Sequence, residues 1–204
     1  MDPTDMTTSD TDIVDALVGI APGSPLDVVR ARRPAARTHA EASYRALLTP
    51  AAPGDFTIAE RFAVAAYVAG LHREAATAAH YAAGLAVHGG AALASTVARA
   101  VAETRAEGPK GQYPAGPLSV EDSAPPAFAL SAPVAAALGP KLAVGFAHAH
   151  YLVFHPRDAT PERFPPLYAA GWTADSVVSL SQIVSFLAFQ IRVVAGLAVL
   201  RAAG

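Results

Sequence analysis

The chain of 204 residues has no cysteine at all. That absence removes disulfides, zinc–thiolate sites, iron–sulfur clusters and every thiol-based mechanism from consideration. Lysine is nearly missing too: only Lys110 and Lys141 stand among the fifteen basic residues, a bias that reflects base composition before it reflects anion binding by arginine. Charge of either sign is scarce. Seventeen acidic against fifteen basic side chains leave a net charge of −2, which supplies no field to draw in nucleic acid or an anionic membrane surface. No run alternates apolar and polar residues as a half-buried strand would, and no glycine-rich phosphate loop is present.

What the chain has in excess is alanine, 49 residues of it, set among leucine, valine and arginine. Alanine loses least on entering a helix, so the expected fold class is all-α. The size and an apolar content of 52% suit a single domain with a real core. The N-terminus, MDPTDMTTSDTD, is acidic and hydroxyl-rich where a secretory signal would be basic and then apolar. It reads as a disordered tail over residues 1–10 of a cytoplasmic protein. The stretch from Val177 to Leu200 is long enough to span a bilayer, but Gln182, Gln190 and Arg192 argue instead for a buried helix with one wet or partner-facing side.

Organisation follows from the breakers. A first short helix is expected over Asp12–Ile20, capped by Thr11 or Asp12 and stopped by APGSP, and a second over Arg37–Leu48. Thr57 stands three residues before Glu60, a capping-box pattern that opens a helix through Leu71. After a soft break near Gly70–Arg73, Glu74–Val87 continues as the return arm of an antiparallel hairpin, and Ala91–Glu107 forms a further helix. The segment EGPKGQYPAGP, running on to Pro125–Pro126, divides residues 11–204 into halves at 11–107 and 118–204. Each half is too small to cover its own amphipathic helices, so the two are read as one domain. The second half should carry helices over Pro140–Phe154, from Thr160 until Pro165–Pro166 cut or kink it, and from Thr173 to Leu200.

Three segments, in order, resemble the alkylhydroperoxidase D / carboxymuconolactone decarboxylase superfamily, especially its peroxidase-related branch. They are LLTPAAPGDFTIAERFAVAAYVAGLHREAATAAHYAAGL at 47–85, LGPKLAVGFAHAHYLVFHPRDATPERFPPLYAAGWTADSVV at 138–178, and SQIVSFLAFQIRVVAGLAV at 181–199. The resemblance implies a helical bundle built around the hairpin, and chemistry in which a glutamate and a histidine activate two cysteines that reduce a hydroperoxide. Glu60 matches the glutamate and His80 the histidine, while the cysteine positions fall near Arg73 and Ala76. Only a thiolate serves as that nucleophile, so this chain resembles the scaffold without its peroxidase engine. The resemblance also implies a homo-oligomer, trimeric or hexameric, and no cofactor.

Two functions fit these residues. The first is a small-ligand-binding or non-catalytic homologue holding a small apolar or carboxylate ligand. The second is a non-redox decarboxylase or lyase in which Glu60 and His80 act as an acid–base pair on a small lactone or keto-acid. Each residue has a plainer reading, Glu60 as part of the Thr57 capping box and His80 as a satisfied core histidine. His72 and Glu74 flank a former cysteine position and read either as solvated turn residues or, with Arg73 and Ala76, as pocket wall. His148 and Tyr151 are further pocket candidates, with Trp172 and Phe186 as core or wall and Arg192 as a carboxylate's partner. His148, His150 and His155 invite a metal reading, but their spacing places no pair three or four apart on one helix, so no metal is expected.

Overall fold

A computed structural model describes residues 12–203. The expected tail over 1–10 lies outside them. Helix α1, Ile13–Val18, starts where the Asp12 carboxylate accepts the Asp15 N–H at 2.7 Å and ends at Gly19 in the left-handed region. The residues expected only to stop it begin another helix: Ser24 caps α2, Pro25–Ala31, with Pro25 in the first turn. Helix α3, Pro34–Leu48, likewise opens on a proline, three residues ahead of the expected start. Arg30 and Arg37 knit these helices together. The buried Arg30 pairs with Asp12 and with Asp15 at 2.9 Å, and Arg37 bridges Asp15 and Asp27 at 2.8 and 2.7 Å.

Helix α4, Ile58–His72, is the axis of the molecule. Both capping-box bonds form, Thr57 N–H to Glu60 Oε2 at 2.8 Å and Glu60 N–H to Thr57 Oγ1 at 3.2 Å. Ten of its fifteen residues, from Arg61 to Leu71, are buried, so it is surrounded rather than amphipathic. Buried Arg61 donates to the carbonyls of Phe56 and Leu47 at 2.8 Å and of Pro53 at 3.3 Å, holding the preceding loop against the helix.

Helix α5, Ala75–Thr104, returns antiparallel to α4 and breaks at Gly90, where φ is 81° and ψ 165°. A connector follows, with one 3-10 turn at Pro117–Glu121 and an isolated bridge between Gly111 and Ser123. Helix α6, Ala132–Phe154, breaks in the same way at Gly139, so the expected helix from Pro140 is only its second piece and the first, from Ala132, is additional. Pro165 and Pro166 do not cut a helix short; they occupy the first turn of α7, Phe164–Ala169. Helix α8, Ala174–Ala203, closes the chain. The described residues contain no β-strand, and the fold is all-α.

One core cluster takes in Phe62 and Tyr67 of α4, Tyr81 of α5, Phe146 of α6 and Leu187 of α8, joining both halves of the chain. Tyr67 stacks on Phe146 with centroids 4.2 Å apart. A smaller cluster packs α1 against Val194 and Leu197 of α8. By length and composition, α5 and α8 are each apolar enough to cross a membrane. In this fold α5 is interrupted at Gly90, and α8 buries Leu180, Ile183, Leu187, Gln190 and Val194 while exposing Val178, Phe189, Val199 and Leu200.

Candidate functional site

The hairpin turn between α4 and α5 is where the residues read as a site come closest to forming one. Arg73 closes α4 with φ at 63°, a left-handed conformation that is uncommon for a side chain other than glycine. Glu74 then caps α5, its carboxylate accepting the N–H groups of Ala76 at 3.1 Å and Thr77 at 2.7 Å. This sharp reversal leaves His72 and Arg73 on the rim of a cleft of about 400 Å³, walled also by Glu107, Phe154 and Arg192.

The cleft carries the guanidinium groups of Arg73 and Arg192 and the carboxylate of Glu107, with Leu71, Val153 and Phe154 as its apolar wall. His72 Nε2 is buried and has no hydrogen-bond partner among the described residues. Burial, and then the nearby Arg192 charge, hold the His72 imidazole below its ordinary pKa and so neutral. Arg73 donates to the Ala106 carbonyl at 3.3 Å and Arg192 to the Ala188 carbonyl at 2.6 Å, each through one nitrogen of a five-donor group. Among the described residues Arg192 pairs with no carboxylate, and it lines the cleft. Glu74 and Ala76, both expected as pocket wall, do not line it: Glu74 is occupied as a cap and Ala76 is exposed on α5.

Glu60 and His80 are not brought together. Glu60 keeps its capping-box role and pairs with Lys141 Nζ at 3.0 Å. His80 Nε2 lies 3.0 Å from the Tyr44 hydroxyl, and burial lowers its pKa. One stands in the first turn of α4 and the other in the second turn of α5, so the antiparallel hairpin sets roughly 10 Å of helix axis between them.

His148 and Tyr151 belong to a different hollow, formed by α6 and α7. Of their two expected roles, core or wall, Trp172 and Phe186 take the core one, Trp172 packing edge-on to Phe56 at 4.9 Å. Another hollow, about 830 Å³, is an open groove along the connector, and its carboxylates are already used: Asp158 accepts Gln112 N–H and Asp122 accepts Tyr113 N–H. Among the described residues no three histidine, aspartate or glutamate side chains gather as metal ligands. Comparison with protein-family models, curated proteins and solved structures finds no match.

Sequence reading missed Glu107, and it missed that Arg192, named only as a carboxylate's partner, shares a cleft with His72. The two stand 35 and 120 residues beyond His72, counting along the numbering, and no local spacing signals that convergence.

Proposed function

We propose that this protein has the alkylhydroperoxidase D-like scaffold without its thiol relay and binds a small carboxylate in the hairpin cleft. The observation that carries the reading is the buried, unpartnered Nε2 of His72 beside the guanidinium groups of Arg73 and Arg192. A buried polar nitrogen without a partner costs on the order of 1–3 kcal/mol, which a bound acceptor would relieve. Two guanidinium groups at one rim favour a planar anion such as a carboxylate. The same position corresponds, in the resemblance, to the turn that would carry the first cysteine. The acid–base reading has no support from the separated Glu60 and His80. Self-association through the exposed apolar side of α8 and a cytoplasmic location complete the proposal.

Titration with succinate, followed by calorimetry on the full chain, tests it. Saturable binding is expected, weakened about tenfold or more by Arg192→Gln and by His72→Ala, as for loss of a charge-assisted hydrogen bond. Absence of saturable binding, or binding indifferent to both substitutions, counts against the proposal.

A further inference from the structure

A second hollow has chemistry of its own. Val144, Ala147, His148 and Tyr151 share one face of α6, and Arg163 and Leu167 close over them from the far side of the His155–Pro156 stop. The half-open hollow has a volume of about 370 Å³, room for a small organic molecule. Its apolar wall comes from Val144, Ala147 and Leu167. Its polar groups are few and lie together.

Tyr151 is the central one. The residue is only 3% exposed, and its hydroxyl is buried with no hydrogen-bond partner among the described residues. The ring is clamped. The Arg163 guanidinium lies 4.0 Å above its centroid, and the His155 ring meets it edge-on at 4.1 Å. Burial raises the phenol's pKa, so the hydroxyl stays a donor; Arg163 pulls against that rise without completing a hydrogen bond to the oxygen.

His148 supplies an acceptor. Ser181 Oγ donates to the Val177 carbonyl at 2.9 Å, so the contact of 3.0 Å between His148 Nε2 and Ser181 Oγ has the imidazole as donor. Burial, with Arg163 adding to it, keeps that ring neutral, which leaves Nδ1 as its acceptor. The hollow therefore presents one cation, Arg163, one neutral hydroxyl donor and one acceptor against apolar walls, with the exposed Glu162 carboxylate at its rim.

We infer that this hollow is a second binding site, independent of the hairpin cleft, for a small monocarboxylate with an apolar body, its carboxylate held by Arg163 and the Tyr151 hydroxyl. The carboxylate supplies the partner that the buried hydroxyl lacks, and the apolar body covers Val144, Ala147 and Leu167. A dicarboxylate fits poorly, because a second charge would face that wall without a partner.

Benzoate titrated into the full chain, followed by calorimetry, is the test. Saturable binding is expected to persist in Arg192→Gln, which removes the hairpin cleft's own affinity for a carboxylate, and to weaken about tenfold or more when Tyr151→Phe or Arg163→Gln is added. Tyr151→Phe keeps the clamped ring, and circular dichroism of both variants checks that the helices are intact. No saturable binding up to millimolar benzoate overturns the inference, as does binding that ignores both substitutions. Loss of benzoate binding in Arg192→Gln alone places the carboxylate in the hairpin cleft, which overturns this site while supporting the other.

Discussion

Burial holds five of the seven imidazoles, those of His72, His80, His148, His150 and His155, below the ordinary value of 6.5. Each therefore binds its proton more readily in the unfolded chain than in the fold. The stability they contribute is complete above the unfolded pKa and is lost as the pH falls through 6.5 toward the folded values. Thermal melts across a pH series should show a nearly constant Tm above neutrality and a progressive fall below 6.5; a Tm that stays flat down to pH 5 contradicts the burial described here. Sequence reading was most accurate where a residue's partner is local. Glu60 was legible as a capping residue because its partner, Thr57, is three positions away. Its pairing with Lys141, 81 positions away, was not, and neither was the hydrogen bond between His80 and Tyr44.

At the scale of the element, both long internal breaks are glycines. Gly90 and Gly139 take φ of 81° and 75° inside what would otherwise be continuous helices. Nothing lies within 4 Å of a Cβ placed at Gly90, so Gly90→Ala should cost about 1–3 kcal/mol from the backbone conformation alone, which is open essentially to glycine only. Gly196, exposed in the middle of α8 with ordinary helical geometry and the same open space, is the control: Gly196→Ala should gain about 0.5–1 kcal/mol. Urea unfolding of the two variants checks the pair, and destabilisation of equal size in both would mean that Gly90 is not a break. Element starts were legible when a hydroxyl cap preceded an apolar run, as at Thr57. They were missed where proline was read as a stop. Ser24 before Pro25 and the Pro165–Pro166 pair both open helices, because proline in the first turn loses no helical hydrogen bond.

For the whole molecule, the exposed side of α8 is the feature a single chain leaves unresolved. Val199 and Leu200 are 69% and 56% exposed near its end, with Val178 and Phe189 earlier on the helix. Self-association predicts a solution mass that is a multiple of 20.8 kDa by light scattering, reduced by Phe189→Glu and Val199→Glu together. A mass of 20.8 kDa for the unaltered chain refutes it. Composition and periodicity by themselves determined the helical class, the position of the hairpin, the capping box and the exclusion of thiol chemistry, since all four depend on residue type or on neighbours within one helical turn. Only the tertiary structure decided that Glu60 and His80 stand apart, that Arg192 turns to the hairpin cleft, and that Tyr151 lies beneath Arg163. Those relations join residues many positions apart, and helix packing sets them where no local spacing records them.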